Sequence, residues 1–210
     1  GLKIQEETVT LTDINTMTTL TGQMEALLAK GVPTEEIVGY DTYAAAQAAV
    51  KGWTDKVDAF ETAVTNLPAQ VRFDSETAIA QAETLLKELD DQGLTDLVAQ
   101  ASRKALEKAS GDLDALQARR ATLVATVPTV TLKQEDKDNL SALRTEADEL
   151  EALGAAFTEA ELKNLTDAEA ALADLETRSA ATHTAVEELA AAENILYTQK
   201  NEIAELAKEM

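Results

Sequence analysis

Cysteine is missing from this chain altogether, so it can hold no disulfide framework, thiol nucleophile or cysteine-based zinc site. With one histidine, His183, a His-rich metal centre is also out of reach, and no evident Ser partner makes His183 a general base. Aromatic residues are only 3% of the chain, so any core must be thin, made of Ala, Leu and Val on closely approaching helices. Basic residues are few as well. The 18 Lys and Arg face 39 Asp and Glu, and the resulting net charge of -21 repels phosphates and anionic lipid surfaces over a Debye length or more. Nucleic acid is therefore not an expected partner. No apolar run reaches transmembrane length, so membrane insertion is not expected either. The chain shows no signal peptide and opens on Gly1, from which we expect a processed or excised piece of a longer protein.

What the chain does have is a repeat. Val9-Thr10-Leu11-Thr12, Leu67-Pro68-Ala69-Gln70-Val71-Arg72-Phe73-Asp74 and Pro128-Thr129-Val130-Thr131-Leu132 are related starts, 62 and 59 residues apart, and Ile195-Leu196-Tyr197-Thr198 looks like a fourth. A period of this size signals an array in which no unit buries its own apolar face alone. The units are residues 1–68, 69–128 and 129–193, with 194–210 the start of a truncated fourth.

Each unit predicts a short helix, a glycine-marked turn and a long helix. In the first, Thr12 or Asp13 should cap a helix whose apolar Met17, Leu20, Met24 and Leu27 step by 3, 4 and 3, and Gly31 should end it. Pro33-Thr34-Glu35-Glu36 should then restart the chain as one helix over 34–66, about 50 Å long, with Val50, Trp53, Val57, Phe60 and Val64 on one stripe. In the second, Val71 and Phe73 should form an extended joint before Asp74 or Ser75 caps the helix carrying Ile79, Ala82, Leu86 and Leu89. Gly93 closes it, and Thr95-Asp96 opens a helix that keeps phase through Gly111 to Val127, with Arg120 the only intruder. In the third, Thr131 with Gln134 and Thr158 with Glu161 are spaced as capping boxes on either side of Gly154. A last short helix should carry Ile203, Leu206 and Met210. The expected fold is all-α: seven helices in tandem three-helix bundles that share long helices, forming an elongated rod as in spectrin-like arrays.

The runs Val64-Thr65-Asn66-Leu67-Pro68-Ala69-Gln70-Val71, Leu94-Thr95-Asp96-Leu97-Val98 and Leu106-Glu107-Lys108-Ala109, with Ile37-Val38-Gly39-Tyr40-Asp41 in the first unit, resemble the helical repeat modules of large Gram-positive bacterial cell-surface proteins and secreted glycosidases. The resemblance implies a non-catalytic spacer or adhesive region that projects other domains from the cell wall. It carries over no functional residue, because the matching positions are core and turn positions.

No constellation points to catalysis. Carboxylates are so numerous on these helices that their spacing carries no information, and a thin rod offers no cleft to raise one carboxyl pKa. Asp136-Lys137-Asp138-Asn139 lacks the glycine and distal glutamate of a calcium loop: Ser141 and Ala147 stand there. We expect no enzyme, no cofactor and no metal site. Tyr40 and Tyr43 are the candidate ligand-binding residues, since three residues apart they either fill a bundle end or present an aromatic patch. The expected function is a structural spacer or stalk, extracellular at a bacterial surface or secreted, and monomeric. The alternatives are an adhesin for a host surface protein or glycan, hinted at by Tyr40, Tyr43, Trp53 and Phe60 all falling in the first unit, and an intracellular helical scaffold.

Overall fold

The computed structural model describes residue 4 and residues 8–130, 137–191 and 199–209. Among these it is all-helical, with seven α-helices and no strand: α1 (Leu11–Ala29), α2 (Tyr40–Thr65), α3 (Glu76–Asp91), α4 (Gln100–Thr126), α5 (Lys137–Ala152), α6 (Glu159–Ala191) and α7 (Gln199–Glu209). None of the described helices is long and apolar enough to cross a membrane. The Thr131–Gln134 capping box, the fourth start at Ile195 and Met210 lie outside the described residues.

The first helix starts earlier than expected. Its cap is Thr10, not Thr12 or Asp13: Thr10 Oγ1 accepts from the Asp13 amide at 3.2 Å, and the Asp13 carboxylate accepts from the Thr10 amide at 2.9 Å. This reciprocal capping box satisfies two donors that a lone cap would leave to water. The same device starts α6 as expected, with Glu161 accepting from the Thr158 amide at 2.8 Å and donating its own amide to Thr158 Oγ1 at 3.3 Å. At the joint before α3, Val71 is buried and Phe73 opens a short 3-10 turn, Phe73–Ser75. The buried Ser75 accepts from the Arg72 amide at 3.1 Å.

Two long helices start later than expected. Thr34–Glu36 and Thr95–Leu97 do turn, but as 3-10 turns, after which Ile37 and Val98 are extended (ψ 109° and 133°). Before α2 the chain also passes Gly39 at φ +85°, a conformation that L side chains resist. The first long helix is therefore 26 residues, about 39 Å, and not the whole of 34–66. The apolar stripe could not reveal this, because it begins at Val50, well inside the helix. The expected turns at Gly31, Gly93 and Gly154 are present, each with positive φ.

The start of α4 is held by a distant side chain. Ala99, at the cap position, has no side-chain oxygen, and Glu61 of α2 accepts from its amide at 2.8 Å and from the Ser102 hydroxyl. A carboxylate at a helix N-terminus satisfies orphan amides and favours the positive end of the dipole. Glu61→Ala is expected to lower stability by about 1 kcal/mol, measured by urea unfolding. Glu61→Gln should lose less, because its amide oxygen still accepts.

The chain divides into two compact units, Gly1–Gln117 and Ala118–Met210, with the boundary inside α4, which is unbroken through Gly111. In the first unit α1 packs on α2 and α2 on α3. Lys56 of α2 pairs with Glu88 of α3 at 2.8 Å, and Ser110 of α4 donates to Glu83 of α3 at 2.7 Å. Phe60, Met17, Leu89 and Leu94 are its largest fully buried side chains apart from the small Val9. In the second unit α5 packs on α6 and α6 on α7, and Leu140, Leu150 and Leu165 form the centre. Not every stripe position is covered: Leu27 and Leu175 expose 39% and 46% of their surface, and Trp53 is half-buried.

Candidate functional site

Tyr40 and Tyr43 lie one turn apart at the start of α2, with ring centroids 6.1 Å apart and planes tilted by 44°. Their surroundings separate them. Tyr43 is 8% exposed and its hydroxyl donates to Thr21 Oγ1 of α1 at 3.1 Å, so it packs α1 against α2. Tyr40 is only half-buried. The two alternatives drawn from sequence are thus divided between them: one fills, the other is partly presented.

An open groove of about 580 Å³ runs between α1 and α2, lined by Thr18, Thr21, Ala44, Gln47, Lys51 and Thr54 among others. Lys51 is its only charged residue and is paired with Asp55 one turn on. The lining offers hydroxyls and methyl groups but no acid–base pair. Nearby, the ammonium of Lys56 sits 4.2 Å from the centre of the Trp53 ring. A cation over the indole face is favourable where both are partly desolvated. Trp53 therefore sits at the margin of the core that the stripe assigned to it.

His183 is exposed on α6, with Nε2 3.2 Å from Glu187 one turn on. Of the calcium-like segment, Asp136 lies outside the described residues, and Lys137 reaches across to Glu176 of α6, whose carboxylate raises the lysine pKa. Among the described residues no three His, Cys, Asp or Glu side chains converge where a metal ion could be held.

Among the described residues, a set of arginine–carboxylate contacts ties together α4, α5 and α6 in the second unit. Arg119 of α4 donates to both Glu146 oxygens at 2.8 Å and to Glu149 at 2.9 Å, all on α5. Arg144 of α5 grips Glu169 of α6 at 2.9 and 2.6 Å. Arg120, the residue that interrupts the apolar stripe, donates to the Ala156 carbonyl at 2.8 Å and to Glu161 at 2.9 Å, with its guanidinium 5.1 Å from the centre of the Phe157 ring. The interruption in the stripe was the visible signal for this clasp. Glu61 gave none, because it does not interrupt the apolar stripe of its helix and is one of many carboxylates in the sequence.

The electrostatics are those of fastening. Hydrogen bonding to Arg119 holds the Glu146 carboxyl below its ordinary pKa, and Glu161 is lowered first by the Thr158 amide and then by Arg120. A general acid needs the opposite shift. Folded-state pKa values below the unfolded ones mean that this stabilisation is complete above about pH 4.3 and is lost as the pH falls through the folded values. Thermal unfolding at descending pH is expected to show this acid loss, diminished in Glu146→Gln.

Comparison with protein-family models, curated proteins and solved structures gives no match.

Proposed function

We propose that this chain is a non-catalytic spacer or stalk of a secreted or cell-wall-attached bacterial surface protein. Its three-helix bundles stand in tandem and share their long helices, which makes a monomeric, elongated rod. The observation that carries this reading is the double engagement of α4. Its first half is tied to α2 through Glu61 and to α3 through Ser110, and its second half to α5 through Arg119 and to α6 through Arg120. A helix that serves two sets of neighbours transmits stiffness along an array, and it needs no ligand to do so.

A second reading, an adhesin for a host surface protein or glycan, is favoured by one observation, the half-buried Tyr40 at the start of α2, whose ring lies 6.1 Å from that of Tyr43. A glycan array and a panel of host matrix proteins separate the two. A spacer gives no saturable binding. Saturable binding that is lost in Tyr40→Ala would replace the spacer with the adhesin.

A further inference from the structure

The three repeats are not equally covered, and the differences fall at equivalent positions. A leucine stands four residues before each turn glycine: Leu89 before Gly93 and Leu150 before Gly154 are both 0% exposed, whereas Leu27 before Gly31 is 39% exposed. The residue after the glycine follows suit, with Leu94 and Ala155 buried and Val32 only half-buried. The starts of the long helices differ in the same way. Glu61, from the second half of α2, holds the start of α4, and Arg120, from the second half of α4, holds the turn into α6. At the start of α2 the cap position is Gly39 and no side chain caps it. Thr42 stands three residues after Gly39 as Ser102 stands three after Ala99, so α2 keeps the hydroxyl that Glu61 engages at α4. Val38, just before this start, is wholly exposed.

In the later repeats the second half of the preceding long helix reaches these positions, through Glu61 at the start of α4 and Arg120 at the turn into α6, and the first repeat shows the same receiving features without such a partner. We infer that the last turn of α1 and the start of α2 form an acceptor face for an amphipathic helix of the long-helix type, with apolar residues at alternating three- and four-residue spacing and a carboxylate placed as Glu61 is. This rests on the shared-helix reading above. The occupant is a further helix of the repeat class, and its burial of Leu27, Leu28 and Val32 would complete a three-helix bundle on α1 and α2.

The absence of cysteine supplies a clean test, because Leu27→Cys, Leu89→Cys and Ala82→Cys each introduce a single thiol. The probe is a peptide of residues 50–72, and thiol reaction with an aromatic disulfide reagent is the readout. A free helix of this length is marginal in water, so the same segment is also grafted in place of residues 1–8, at millimolar effective concentration. Leu27→Cys is expected to react at least 100-fold faster than Leu89→Cys or Ala82→Cys, and the grafted segment should slow it at least tenfold. The peptide should do the same at high concentration, and less well with Glu61→Lys. If the buried-site variants stay slow and neither form of the segment protects Leu27→Cys, the acceptor face is overturned while shared helices survive. If Ala82→Cys and Leu89→Cys react as fast as Leu27→Cys, the shared-helix reading itself fails. Protection of Leu27→Cys that grows with protein concentration alone would assign the face to a second copy of the chain and also overturn the proposal.

Discussion

Phe60→Ala is expected to destabilise the chain by about 3–5 kcal/mol, the largest loss for any single truncation in the first unit. Only seven aromatic side chains serve 210 residues, and among the described residues Phe60 is the largest side chain that is wholly withdrawn from solvent. It lies on α2, which packs along α3 in a core whose other members are mostly Ala, Leu and Val. Slender helices bring few atoms to each contact, so the space left by a phenyl ring cannot be refilled from nearby side chains without moving backbone. Phe60→Leu, which keeps most of the volume, should cost less than about 1.5 kcal/mol. Urea unfolding followed by circular dichroism measures both. A loss under about 1 kcal/mol for Phe60→Ala would mean that α2 and α3 do not enclose this ring in solution.

Gly111→Pro is expected to cost about 3 kcal/mol or more, and Gly111→Ala to gain about 0.5–1 kcal/mol. Gly111 lies in the middle of α4, exposed, and a Cβ built there meets nothing within 4 Å. Alanine therefore adds helix propensity without a clash. Proline removes the amide that bonds back to residue 107 and sets its ring against that carbonyl. Leu106 and Ala109 are buried on one side of this point and Leu113, Leu116, Leu123 and Val127 on the other, so a break in α4 should weaken amide protection in both compact units. If Ser110-Gly111 were a turn between two helices, proline would be tolerated there and protection would hardly change.

Helix content and turn placement were legible because they rest on local chemistry. Gly31, Gly93 and Gly154 each take the positive φ that ends a short helix, and Thr158 with Glu161 closes the box that their spacing announced. The misplaced starts have a shared cause. Thr34-Glu35-Glu36 and Thr95-Asp96 carry the hydroxyl and carboxylates of a helix start, and they do nucleate a turn, but the following extended residue delays α2 to Tyr40 and α4 to Gln100. The Ala99 amide finds its acceptor on another helix, so nothing near it in sequence could mark the boundary. Burial was harder to foresee than helicity. The 3-4-3 spacing assigns Leu27 and Leu89 to equivalent positions, yet their exposure differs because cover depends on a neighbouring helix and not on the stripe. Tyr40 and Tyr43 differ for the same reason: Thr21 of α1 lies within reach of one hydroxyl only.

Small-angle scattering with in-line light scattering tests the tandem arrangement most directly, since it gives mass and longest dimension together. Long helices that each overlap the next by half predict a monomer about 90 Å long, at about 1.5 Å per residue. Its radius of gyration should lie well above the ~17 Å of a compact globule of this length. A particle near that compact value, or a dimer, would contradict helices shared between bundles in series.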